Sequence, residues 1–275
     1  MKIKSLIPKS QFAKNVVLLM TGTGLAQAIS IGVSPILTRL FSPADFGIIA
    51  LYLTIVSILG VLATGRYEMA IMFPKEDKEV GEILGIVLLL TVTVSLIVLI
   101  VVWGFNAKIA AYLGNPDIAL WLYFVPLSLL VNSVYQSFNY LLIRNKSYKR
   151  LAGNKVIHST ATSSTQVVFG ALKMGSKGLL LSNILSFIFS LSLITREKYI
   201  REVISKISFS KLKPTLVKYK QFPLYDVPAL MINLTSSQLP IIALGRLFNV
   251  TIVGLYSFTF KILTAPLNLP VSYTH

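Results

Sequence analysis

Residues 85–103 read GIVLLLTVTVSLIVLIVVW, a run of nineteen without a charge. A membrane-spanning strand alternates in polarity over about ten residues, and this stretch does not hold to such an alternation, so it reads as a helix. A helix rises 1.5 Å per residue and needs roughly 20 apolar residues to cross a hydrocarbon core of about 30 Å. The whole uncharged segment, 83–107, satisfies that length.

Working outward, similar runs recur at 15–38, 46–65, 118–143, 156–172, 178–195 and 227–245, and a last one at 247–269 is interrupted only by Lys261. With 83–107 they make eight candidate spans. Composition agrees: 54% of residues are hydrophobic and 13% charged, with a mean hydropathy of +0.73, whereas soluble domains carry about a quarter charged residues. The basic start followed by Val16 to Met20 and Ala26-Gln27-Ala28 imitates a secretory signal. The apolar run continues past Ala28 to Thr38, so it reads as an uncleaved first span.

The formal charge of +16 raises nucleic acid as a partner, and the distribution of charge argues against it. If the N-terminus lies inside, inner segments hold 19 of the 26 Lys and Arg, and outer segments hold five. That asymmetry is the positive-inside pattern of a multi-pass membrane protein. No nucleic-acid partner is expected; membrane lipids are. The absence of cysteine excludes disulfides and thiol chemistry. The two histidines fit no zinc motif and no P-loop is present, so no cofactor, metal site or enzymatic activity is expected.

One short stretch occurs twice. Arg39 to Gly47, RLFSPADFG, and Arg246 to Gly254, RLFNVTIVG, align at an offset of 207 with Arg, Leu, Phe and Gly in common. Ser42 and Asn249 are both favoured N-cap residues, and Ser42, Pro43 and Asp45 together approximate a capping box with proline at the first helical position. Six spans separate the copies, so the two units point the same way across the membrane, as parallel-repeat transporters do. The predicted architecture is all-α: a six-helix lobe at 1–195, a basic cytoplasmic linker at 196–221, and the first two helices of a second lobe at 222–275. A second lobe matching the first would double six spans to twelve, so the chain is expected to be C-terminally incomplete or truncated.

Polar residues recur on single helix faces. Thr23, Gln27, Ser30 and Ser34 are spaced 4, 3, 4; Ser128, Asn132, Gln136 and Asn139 are spaced 4, 4, 3; Lys155, His158, Thr162 and Gln166 are spaced 3, 4, 4. Such stripes either hold helices together by hydrogen bonds or line a shared polar interior. A charge near the middle of a span costs about 2.5–3.5 kcal/mol on insertion scales, so it tends to mark function. Lys261 is the deepest charge, and Lys155, Arg66, Glu68 and Asp226 lie nearer the inner surface, where snorkelling is the alternative. Scattered cations among amides suit a ligand with negative charge and hydroxyl groups, such as a sugar carried on a lipid phosphate.

Four stretches resemble one family: LTRLFSPADFGIIALY at 37–52, GRYEMAIMFPKEDKE at 65–79, LGNPDIALWLYFVPLSLL with NYLLIRNKSYKRLAGNKV across 113–156, and FPLYDVPALMINLTSSQLPIIALGRLF at 222–248. The chain is similar there to polysaccharide transporters that include O-antigen flippases of the Wzx type. The resemblance implies two helical lobes around a cavity that opens alternately to either side. It also implies a lipid-linked oligosaccharide substrate, an O-antigen or capsular repeat unit on undecaprenyl pyrophosphate, moved from the cytoplasmic to the outer leaflet of the bacterial inner membrane. A polymerase and a chain-length regulator of the same pathway are the implied protein partners.

Together these readings place Arg66, Lys155 and Lys261 at the pyrophosphate and Asn132, Gln136, Asn139 and Gln166 at the sugar hydroxyls. Gln27 and His158 complete the expected cavity, and Asp226 and Glu68 are expected to pair with the cations or sense a coupling proton. Two other readings stay open: a small-molecule or drug antiporter of the same superfamily, and a membrane-embedded glycan polymerase or ligase. The last needs a large outer loop with acid-base residues, and the outer connections here are short.

Overall fold

The computed structural model describes residues 11–208 and 212–264, with side chains from Lys14 onward. Among the described residues the fold is all helical: α1 Gln11–Leu40, α2 Pro43–Thr64, α3 Tyr67–Ala70, α4 Asp77–Tyr112, α5 Ala119–Leu122 and α6 Val125–Arg144. They are followed by α7 Tyr148–Ala171, α8 Ser176–Ile194, α9 Lys198–Ser205, α10 Leu212–Lys218, α11 Val227–Leu247 and α12 Val250–Thr264. The protein is thus a multi-pass helical bundle. Five helices are long and apolar enough to cross a membrane, and six if α5 and α6, with a 54° bend between them, count with the turn before α5 as one span.

The departures from eight straight spans have physical causes. The span expected at 118–143 breaks where Pro126, near the start of α6, lacks the N–H that would continue the α5 ladder. Helix α7 is too polar to stand in lipid alone, and it packs instead between α1 and α8. Helix α12 covers Val250–Thr264 of the last expected span, whose remaining residues to 269 lie outside the described residues. By contrast α4 runs for 36 residues, starting at Asp77. Its Leu96, Ile100 and Trp103 are exposed on the bundle surface, as suits a face turned to hydrocarbon.

The doubled turn forms as the sequence implies. Ser42 Oγ accepts from the Asp45 N–H at 3.3 Å while the Asp45 carboxylate accepts from the Ser42 N–H at 2.9 Å. In the second copy Asn249 Oδ1 accepts from the Ile252 N–H at 3.0 Å. The two capped helices then cross each other. A Cβ on Gly47 would run into the Val250 carbonyl, and one on Gly254 into the Pro43 carbonyl. Each of these pairs is the other shifted by the repeat offset, so the contact is reciprocal, and only glycine allows the two backbones to come so close.

Other contacts join the bundle at this cap end. Gly114, at φ +73, lies against the Gly245 carbonyl, and the Arg246 guanidinium stacks 4.5 Å over the Tyr112 ring. On α1, Gly32 faces open space, and the close approach to α7 is Gly22 against Ala152.

At the opposite, basic end the described parts of the expected linker, α9 and α10, pack on α4. Ile200 and Val203 of α9 and Tyr219 after α10 join a core with Val80, Ile83 and Leu84 of α4. The acidic first turns of α4 receive the basic segment. Asp77 accepts from Tyr199 Oη at 3.2 Å and lies 3.6 Å from Lys206 Nζ, Glu79 pairs with Lys218, and buried Glu82 accepts from Thr215 Oγ1 at 2.8 Å. The Glu79 carboxylate holds the Lys218 ammonium above the usual lysine range.

Candidate functional site

Among the described residues, three recesses between the helices present polar side chains. One, of about 390 Å³, lies between α1, α7 and α12 and is lined by Thr23, Gln27, Lys155, His158, Thr162 and Lys261 among others. A second, of about 400 Å³, lies between α2, α7, α8, α11 and α12 and presents Thr54, Gln166, Asn183, Gln238, Ser257 and Lys261. Thr162 and Lys261 border both, so the two are neighbours. Neither is lined by an Asp or Glu among the described residues.

The two lysines are held differently. Lys155 donates to Thr23 Oγ1 at 3.3 Å across the α1–α7 interface, which fixes its ammonium against one wall. Lys261 is exposed and stands where the two recesses meet. One turn along α7 from Lys155, the His158 ring packs 4.5 Å from Phe187 and 5.4 Å from Tyr135, with a buried Nε2 that has no partner. Gln27 Oε1 is likewise buried and unpaired. Buried polar groups are nearly always hydrogen-bonded, so these two unpaired atoms, on residues that line the recess, stand out among the described residues.

The third recess, of about 280 Å³, is separate in character. It lies between α2, the α2–α3 turn and α6, and presents Arg66, Glu68, Asn132, Gln136 and Tyr140. Ser57 borders it and the second recess. Here Arg66 Nη1 lies 3.3 Å from Glu68 Oε1. Arg66 is therefore not brought to the two lysines, and it is already neutralised by a neighbour.

Two further expected residues line none of the three recesses. Asn139 is buried within α6, and Asp226 ends the π-helical turn Phe222–Asp226 before α11. Conversely, Asn183, Gln238 and Thr54 were not expected at the site. Gln238 accepts from Thr54 Oγ1 at 2.8 Å, tying α11 to α2. Asn183 is a lone amide on α8 and Gln238 stands five residues from Asn233 on α11, so spacing along one helix does not reveal either; an amide in mid-span is the only signal.

Recesses that present two lysines and several amides between the helices of a multi-pass bundle are the build of a transporter for a polar solute. The sequence matches the family described as Polysaccharide biosynthesis protein over residues 36–273, most of its length, and the chain belongs to that family. The family comprises non-catalytic, Wzx-like transporters of polysaccharide precursors. No curated protein and no solved structure matches the chain.

Proposed function

We propose that the protein is a flippase for undecaprenyl-pyrophosphate-linked oligosaccharide repeat units, of O-antigen or capsular type, working by alternating access in the bacterial inner membrane. In this reading the N-terminus and the basic end face the cytoplasm, and the doubled caps lie on the outer side. The observation that carries it is the pairing of Lys155 and Lys261 around adjoining recesses that no carboxylate lines among the described residues. Two ammonium groups without a counter-charge attract a diphosphate, and amides around them accept from and donate to sugar hydroxyls.

Lys155 and Lys261 are then the pyrophosphate ligands, with Gln27 and Gln166, joined by Asn183 and Gln238, on the sugar side. The tight glycine crossing at the cap end supports a conformation closed to the outside. Asp226 is the group left for a coupling proton, since Glu68 is engaged by Arg66. A polymerase and a chain-length regulator are the proposed protein partners. The test is Lys261→Ala in full-length protein expressed in a strain lacking its own flippase. Surface glycan should fall about tenfold or more, the scale of a lost charge-assisted contact; wild-type glycan would overturn the assignment.

A further inference from the structure

We infer that the recess at Arg66 and Glu68 is a binding site for one uncharged sugar ring, distinct from the lysine-lined anion site. The inference rests on the reading that the cargo carries sugar, and adds where a ring is held. The first ground is unmet hydrogen bonding. Glu68 is buried and its Oε2 has no partner, Asn132 Oδ1 has none, and Arg66 Nε, a donor, has none. Two acceptors and a donor, carried by residues that line one recess and unpaired among the described residues, are a complement for a group that both donates and accepts, as every sugar hydroxyl does. Tyr140, Gln136 and the hydroxyls of Ser57, Thr64 and Ser133 extend the same chemistry around the wall.

The second ground is charge. With the Arg66 guanidinium 3.3 Å from the Glu68 carboxylate, the recess is neutral. A phosphate would have to displace Glu68, and a metal ion would have to sit beside a guanidinium. Planar, multidentate, mutually neutralised groups instead suit a neutral polyol. The third ground is preorganisation. Gly65 at φ +56 is followed by Arg66 at φ +62, and the Arg66 N–H bonds to Thr64 Oγ1 at 3.2 Å. A left-handed non-glycine residue is uncommon and persists where its surroundings over-determine it, often at ligand sites. The volume, about 280 Å³, falls just below the roughly 300–1,000 Å³ of drug-sized sites, which limits the occupant to a single ring.

The experiment uses the full-length protein in detergent. Saturation-transfer NMR is run with D-glucose, D-galactose and N-acetyl-D-glucosamine as probes, and in parallel with inorganic pyrophosphate binding by calorimetry. At least one sugar should receive magnetisation, independently of salt, because no charge is screened. Glu68→Ala and Asn132→Ala should each weaken that sugar about tenfold, the effect of a lost hydrogen bond to a charged or buried group, while Lys261→Met should not. Asn132→Ala keeps the test valid should the Glu68 variant misfold, since Asn132 Oδ1 has no hydrogen-bond partner to lose among the described residues. No signal from any of the sugars, or a signal retained in Asn132→Ala, overturns the inference. Loss of pyrophosphate binding on its own would fall on the transport reading and leave the sugar recess standing.

Discussion

At Glu82 a single side chain shows how a charge is kept inside this bundle. The residue is buried, and Thr215 Oγ1 donates to its carboxylate at 2.8 Å from the far side of the folded linker. Thr215→Val keeps the shape and removes the donor. We expect a loss of about 1–3 kcal/mol, the cost of a buried acceptor left unmet, read as a lower midpoint in thermal unfolding of the purified protein. Lys155 offers the matching case in the cavity. It donates to Thr23 at 3.3 Å, so Lys155→Gln retains a polar contact while removing the charge. Pyrophosphate affinity should drop by about tenfold, with little change in the unfolding midpoint; a protein that loses stability and keeps affinity would identify Lys155 as an interhelical tie.

Among the elements, α2 and α12 carry the clearest link from sequence to packing. The caps Ser42 and Asn249 could be read from residue type alone, and the repeat offset predicted equivalent helix starts. What could not be read was that the two copies touch. Spacing along one chain says which residue is small, and only the assembled bundle says what it lies against, so Gly47 and Gly254 looked like ordinary helix glycines. Gly254→Leu should push the helices apart at an overpacking cost of about 1–3 kcal/mol. Because both glycines serve one crossing, Gly47→Leu with Gly254→Leu should cost less than the two single changes together. Additive losses in unfolding midpoints would mean that the crossing is not a shared contact.

For the whole molecule, the hydrophobic pattern made the helical membrane class legible, because length and lack of charge alone define a spanning helix. Helix α7 and the linker were less legible for opposite reasons. The first is polar yet enclosed by α1 and α8, and the second is basic yet docked on α4 acids; partners far along the chain decide both. In the site, Lys155, His158 and Gln166 of the α7 stripe line the recesses, while Arg66 lies beside Glu68, a neighbour two residues away. The orientation proposed for the bundle is open to a direct check, since the chain has no cysteine. Introduced singly, Ser42→Cys should react with a membrane-impermeant maleimide on intact spheroplasts, and Ser205→Cys only after permeabilisation; the reverse order would invert the assignment.

The reciprocal glycine crossing also sets a lever. Thr64 lies 17 residues beyond Gly47 on α2, about 25 Å along the axis at 1.5 Å per residue. A turn of about ten degrees about that fulcrum sweeps the far end of α2 through about 4 Å over that arm, while the glycines themselves barely separate. In the alternating-access reading proposed above, small motion at one surface would be geared to a wider displacement at the other, and the arm ends at the turn that carries Arg66.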